Sequence, residues 1–476
     1  MRRDIIIPAL LALLLLVIVG GNAGWPELAA QEFPPTNTPR GTEASTLTPS
    51  ATATNTATAT HTATATHTVP PTRTPLPSDT PSPTISPTPE GRIGPRGYPE
   101  GVNPLTGLPY PDEASQNRRN LILKISNFPE VVRPQYGLMA ADVVFEYEVE
   151  GGVTRFAAIY RSQMPEMVGP IRSARLMDIE LVNMYGALLG YSGANTWIYD
   201  FILNEADWRW RAMSPQIGNN CPLFCRIRFD SRAFEHTLFA NTDAIWQEAD
   251  RIGVNQGMAA FGLAFDENPP PSPQGGTAVD IAVDWFSDRA ETRWQYNPED
   301  NRYYRYDSGL PHIDAATGEH ISSDNVVLME VWHAERPDIY ESEVGGIAIE
   351  HQIWGTGTAW VFRDGNWYQG EWFRNRDRGA LYLRFLDEAG TPITLRPGQT
   401  WFTVVRKFEF GSENDLWSVT VGTDDYADVQ ATAAAQSAAL TAVPAATQTQ
   451  FAEWYGGPTP SATWTPTPTG TWQFGS

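Results

Sequence analysis

The sequence predicts an α+β fold: layered β-sheets with flanking helices in a first part, a mainly antiparallel β region in a second, and a disordered stalk and tail. Three observations predict it. Short apolar or alternating runs bounded by Gly, Pro and Asn recur from Asn120 to Val405. Helical spacing is confined to two stretches, Asp178–Tyr185 and Thr242–Arg251. Residues 34–90 and 428–476 are dominated by Thr, Pro, Ala and Ser, with too few bulky apolar side chains to offset the entropy of ordering the chain. Of the 476 residues, the foldable part is therefore Tyr98 to about Tyr426.

At the N-terminus, Arg2 and Arg3 precede an apolar run from Ile5 to Val19, followed by the small residues Gly20, Gly21 and Ala23. Residues 1–23 read as a secretory signal peptide or as a retained membrane anchor, the run being close to the usual span of about 20 residues. The positive flank stays inside and the rest of the chain lies outside. Residues 24–97 form a Thr/Pro-rich stalk. Within it, residues 51–68 alternate Thr and Ala and residues 69–90 turn Pro-rich. Extended as polyproline II at about 3.1 Å per residue, its tract 34–90 would reach on the order of 170 Å. His61 and His67 in this tract lack further ligands. The tail, 428–476, adds Trp454, Trp464 and Trp472 among Thr and Pro.

The first folded part, 98–265, reads as strands at Asn120–Ser126, Ala141–Tyr147 and Val153–Tyr160, the last two joined by Gly151-Gly152. Ser173 can cap a helix that continues through Asp178–Tyr185. A strand follows at Leu188–Tyr191, and a helix at Thr242–Arg251 stops at Gly253.

In the second part, 275–424, strands are expected at Glu291–Tyr296, Arg302–Tyr306, Val326–Trp332 and Thr400–Val405. Ala359–Arg363 and Asn366–Gln369 flank Asp364-Gly365, the strongest hairpin signal in the chain. Leu381–Leu386 and Thr391–Leu395 read as another hairpin.

Several phrases in order carry a family resemblance. They are Asn103-Pro104-Leu105-Thr106-Gly107-Leu108-Pro109, Arg133-Pro134-Gln135 with Gly137-Leu138, Ala141-Asp142-Val143-Val144, Glu150-Gly151-Gly152-Val153-Thr154-Arg155-Phe156 and Gly169-Pro170-Ile171-Arg172-Ser173-Ala174-Arg175. The chain from Asn103 to about Val405 resembles the YerB-like family, extracytoplasmic and often lipid-anchored bacterial proteins of unassigned function with N-terminal and C-terminal parts. The resemblance implies the layered fold and no catalytic residues. No cysteine follows the apolar run here, so the anchoring differs from a lipoprotein's.

The formal net charge of −22 argues against nucleic acid as a partner. The two cysteines, Cys221 and Cys225, read as a local disulfide in an exported chain. Gly-x-Ser-x-Gly, His-Glu-x-x-His, Walker and dinucleotide phrases are absent, and no cofactor is expected. What remains is an acid and arginine group, Glu146, Glu150, Arg155, Arg172, Arg175 and Asp178, as a polar site for an anionic or sugar-like ligand. Charges pairing with one another to fix sheet to helix would look the same in sequence. His312, Asp314 and His320 surround a turn that reads as an exposed polar hairpin and less readily as a metal site. His236 reads as a capping or core residue, and His333 and His351 as strand residues. Most of the 17 tryptophans should be core; exposed ones would suit sugar stacking.

The expectation is a membrane-tethered envelope protein that binds a surface polymer or a protein partner. The competing class is a glycan hydrolase using paired carboxylates from Glu146, Glu150 or Asp178.

Overall fold

The computed structural model describes residues 91–228, 232–257, 260–270, 276–285, 291–341, 346–387, 389–406 and 418–422. The signal or anchor segment, nearly all of the stalk and the tail lie outside these residues. Among the described residues no helix is long and apolar enough to cross a membrane.

One ten-stranded sheet organises the fold. In chain order its strands are β1 (Leu121–Ser126), β2 (Val143–Val149), β3 (Val153–Tyr160), β4 (Leu188–Gly190), β5 (Ala212–Met213), β6 (Asn325–Val331), β7 (Gly355–Arg363), β8 (Asn366–Arg374), β9 (Leu381–Arg384) and β10 (Thr400–Arg406). Across the sheet they run β9-β8-β7-β6-β10-β2-β3-β1-β4-β5. Strand β10 lies parallel between β2 and β6, with Phe402 opposite both Phe145 and Val327. The two parts expected from sequence thus meet inside one sheet. The second part departs from its expected antiparallel pattern at the strand that joins it to the first.

Period-two alternation sends the side chains of β2 and β10 to opposite faces. Phe145, Tyr147, Phe402 and Val404 enter one core, closed by the helix α2 (Leu176–Tyr185), which follows the short α1 (Glu113–Asn117) in the chain. Val144, Phe156, Leu328 and Trp401 enter the other. That second core also takes Ile281, Val283, Trp294 and Tyr303 from a further sheet built on Asp280–Asp284, Glu291–Asn297 and Arg302–Asp307, together with Ile245 and Trp246 of a helix over Thr242–Arg251. The ring of Trp294 meets that of Trp401 edge-on at 5.2 Å.

Several boundaries differ from the sequence reading. The folded unit begins before Tyr98: Ile93 exchanges two 2.9 Å backbone hydrogen bonds with Phe265. Helix α2 starts at Leu176 rather than Ser173, because the Asp178 carboxylate accepts the Arg175 N–H at 2.7 Å and caps the first turn there. Its end agrees with its sequence, with Gly186 in the left-handed region (φ 56°) as the cap requires. The β7–β8 hairpin turns at Asp364 (φ 52°) and Gly365 (φ 69°), as Asp-Gly predicts, but its strands extend to Gly355 and Arg374. The expected hairpin after β9 is reduced to a bridge between Arg384 and Pro392, and Thr394–Leu395 pairs instead in parallel with Ala264–Phe265. Two backbone bonds flank that bridge, Phe385 N–H to Thr391 O at 2.8 Å and Ile393 N–H to Leu383 O at 3.0 Å, before the chain leaves for its parallel partner.

Because Phe402 is fully buried and stacked on Phe145 at 4.7 Å, Phe402→Ala should cost about 3–5 kcal/mol in urea unfolding. Tryptophan fluorescence and far-UV circular dichroism should still report one coincident transition, since both parts share the sheet.

Candidate functional site

The sheet carries a polar cluster on each face, and the acid and arginine group read from sequence is divided between them. Glu146 lies on the face of Phe156 and Trp401, fully buried. Its carboxylate accepts hydrogen bonds from Arg305 at 2.8 Å, Thr154 at 3.0 Å, Trp401 Nε1 at 3.2 Å and Thr292 at 3.3 Å. Arg305 also pairs with Asp307 at 3.1 Å, and Asp307 with Arg133 at 2.7 Å. Glu146 does not join the other five residues: alternation along β2 turns it away from Tyr147, and four donors leave it no free oxygen to work with.

The remaining five gather on the opposite face. Glu150, in the turn after β2, accepts from Arg155 of β3 at 3.3 Å and takes two bonds from Arg175, one from Nε at 2.8 Å and one from Nη2. Below them Lys124 of β1 donates to the Tyr147 hydroxyl, which donates to Asp178 at 2.5 Å. Lys124 stands 3.6 Å from Asp178, and both are fully buried. Arg172 reaches the Glu235 carbonyl at 3.3 Å. The segments around Arg172 and Asn195 run side by side, with Ala174 N–H to Gly193 O at 2.9 Å and Ser192 N–H to Arg172 O at 3.0 Å.

Three members were not legible as site residues. Tyr147 reads as core. Lys124 is the one lysine among the described residues, and its position inside the apolar run Leu121–Ile125 is the signal that could have flagged it. Glu341 follows the strand His333–Tyr340 and comes within 3.3 Å of Arg175 Nη1; its side chain is 1% exposed, and among the described residues neither carboxylate oxygen has a well-formed hydrogen bond, the Asn195 amide being its other neighbour. Nothing in its local sequence marks it.

Burial pushes the Glu150 carboxyl up, but the bonds from Arg175 and the charges of Arg155 and Arg175 outweigh it and hold it down at about 2. Glu341 moves the other way: burial raises it, and the Arg175 charge offsets only part. Lys124 falls to about 7, burial outweighing the attraction of Asp178. Burial, with the charge of Arg175, brings Arg155 down to about 9.

The weaker candidates have structural places. The turn bearing His312, Asp314 and His320 is not the exposed hairpin expected. His312 and Asp314 are buried. Asp314 accepts backbone N–H bonds from Gly137, Met139 and Ala316, and His312 contacts Gln135 and Arg305. Among the described residues no three His, Cys, Asp or Glu side chains are grouped to hold a metal ion. His236 is buried in a short 3-10 turn, Phe234–His236. His333 and His351 face each other across a two-stranded ladder, ring centroids 4.4 Å apart. Cys221 and Cys225 are joined in a disulfide, Cα atoms 4.7 Å apart. A cavity of about 610 Å³ lies elsewhere, lined by Arg96, Phe261, Phe373, Asn375, Ala380 and Tyr382, and shares no residue with the cluster.

Residues 105–255 match the family described as "Protein of unknown function (DUF3048) N-terminal domain", and residues 281–402 match its C-terminal domain. The chain belongs to this family. The protein named "Putative lipoprotein YerB" from Bacillus subtilis (strain 168) is 27% identical over 311 residues, covering 65% of this chain and 87% of that protein. The crystal structure of YerB protein from Bacillus subtilis aligns with a TM-score of 0.54 at 24% identity, over 67% of this chain and 99% of that one, and shares its fold.

Two outcomes are expected. Glu146→Gln should destabilise by at least about 2 kcal/mol in urea titration, since it weakens the bonds that hold Arg305 in the core. Lys124 is protonated more readily unfolded (ordinary value 10.5) than folded (about 7), so stability should rise with pH from about 7 to about 10.5. Lys124→Met should flatten that rise; an unchanged slope would assign it to another group.

Proposed function

We propose that this is a non-enzymatic cell-envelope protein, held outside the membrane by its N-terminal segment or secreted. Its cluster of Glu150, Arg155, Arg172 and Arg175 binds a surface polymer or an envelope protein. The observation that carries the reading is the incomplete pairing at the mouth of this cluster. Arg155 and Arg175 are engaged by Glu150, while Arg172 is half-buried, holds one long bond to a carbonyl and leaves its buried Nε without a partner among the described residues. A guanidinium so placed has donors left for a ligand and a rigid fork to present them. The signal-like N-terminus, the Thr/Pro-rich stalk and a relative named as a lipoprotein support the location.

One observation favours the hydrolase as a second reading. Glu150 and Glu341 contact the same Arg175, and their surroundings push the two carboxyls apart, the pattern of an acid and a base. This pair replaces the Glu146 and Asp178 expected from sequence, which are buried and bonded.

The test uses the full chain purified in detergent, incubated with envelope from cells lacking the protein. It should sediment with the envelope and release no soluble fragment. Arg172→Gln should weaken retention about tenfold, the loss of one charge-assisted contact, with the melting temperature unchanged. Fragments released by the parent and not by Glu341→Gln would replace the binding reading with the enzymatic one.

A further inference from the structure

We infer that the open side of this cluster is a subsite for an acidic saccharide, in which Arg172 takes a sugar carboxylate, Glu341 and Asn195 take ring hydroxyls, and Trp197 packs on the ring's C–H face. The inference rests on the binding reading above and gives it a ligand class.

The first support is a set of polar atoms that the fold buries and leaves unmatched. Glu341 is an acceptor pair whose neighbours, Arg175 at 3.3 Å and the Asn195 amide, give neither oxygen a well-formed hydrogen bond among the described residues. Asn195 spends its side-chain oxygen capping the short helix α3 (Thr196–Asp200), accepting the Ile198 N–H at 2.8 Å, and its buried Nδ2 has only the Glu341 carboxylate beside it, without a well-formed hydrogen bond among the described residues. Arg172 Nε is the third. These three belong together. Glu341 contacts Arg175 and feels Asn195, and the segments bearing Arg172 and Asn195 are tied by backbone hydrogen bonds. Buried donors and acceptors without a match call for an explanation, and a ligand is one.

The second support is aromatic. Trp197 is 40% exposed although large, and it is held flat: its ring stacks on Phe201 at 5.7 Å with 4° between planes, and the Arg336 guanidinium sits 5.8 Å from its centroid. Arg336 belongs to the strand that runs on to Glu341. The tryptophan is thus two residues from Asn195 in sequence and bound to the strand that delivers Glu341. A fixed, partly exposed indole two residues along the chain from that amide offers a pyranose an apolar surface to pack on, with partners for its hydroxyls carried by the same segment.

Charge narrows the class further. Glu150 offsets one of the two charges of Arg155 and Arg175 and Glu341, 3.3 Å from Arg175, offsets the other, so the charge of Arg172 is the one left for a ligand. A phosphate dianion would want more than one free cation and would be opposed by Glu341. A single carboxylate on a hydroxylated ring satisfies Arg172 without that conflict.

The test immobilises the full chain and measures binding of two matched probe sets: oligosaccharides containing hexuronic acid or N-acetylmuramic acid, and the same compounds after reduction of the carboxyl group. The acidic set should bind, with the reduced set about tenfold weaker, and Arg172→Gln should abolish that difference. Asn195→Asp keeps the helix-capping oxygen and removes the donor. It, Glu341→Gln and Trp197→Ala should each weaken binding about fivefold or more with the melting temperature retained. Equal binding of both sets overturns the inference. So does binding of neither while the chain still sediments with envelope, an outcome that spares the binding reading. Loss of sedimentation as well overturns both.

Discussion

The parallel pairing of β10 between β2 and β6 is the constraint on which the rest depends. It is formed by a late strand of the chain's second part against a strand of its first, some 255 residues apart in sequence. A slip of one residue would exchange the two faces of β10, sending Trp401 into the core of Phe145 and Phe402 into that of Trp294. Both polar clusters presuppose this register. Trp401 Nε1 reaches Glu146 only from the face it now occupies.

The two clusters use similar residue types to different ends. Around Glu146, every carboxylate oxygen meets a donor, and the donors come from β3, β10 and the second sheet. A buried ion pair of this kind contributes little net stability against an apolar replacement, yet is costly to break. Its role here is to fix how the second sheet sits on the first. Around Glu150 the matching is complete on the inner side, where Lys124, Tyr147 and Asp178 interlock, and incomplete toward the surface. The difference between a fastening and a site lies in that remainder.

Much of the fold was legible because it follows local rules. Strands β1 to β3, the helix over Thr242–Arg251 and the Asp364-Gly365 turn are dictated by alternation, capping and positive φ, all short-range. What was illegible is long-range. No local pattern tells that Thr400–Arg406 runs parallel to strands from both parts, or that Thr394–Leu395 leaves its neighbour for Ala264–Phe265. The site divides along the same line. Glu150, Arg155, Arg172, Arg175 and Asp178 are near in sequence and do assemble. Glu146 is nearer still and is excluded, because the period of a strand outranks proximity. Glu341 arrives from 166 residues beyond Arg175, carried by a ladder with a polar surface, and could be found only in three dimensions.

The pairing of Ile93 with Phe265 bears on how the folded unit responds to mechanical load. Tension arriving from the residues before Gly91 meets two short backbone hydrogen bonds at Ile93, then the Tyr98 hydroxyl bonded to the Leu263 carbonyl at 2.5 Å, before any strand of the large sheet. Phe265 in turn pairs beside Leu395, just ahead of β10. A pull on the N-terminal side is thus borne first by a peripheral latch that can open and reclose, while the central strand, flanked on both sides, is shielded from peeling.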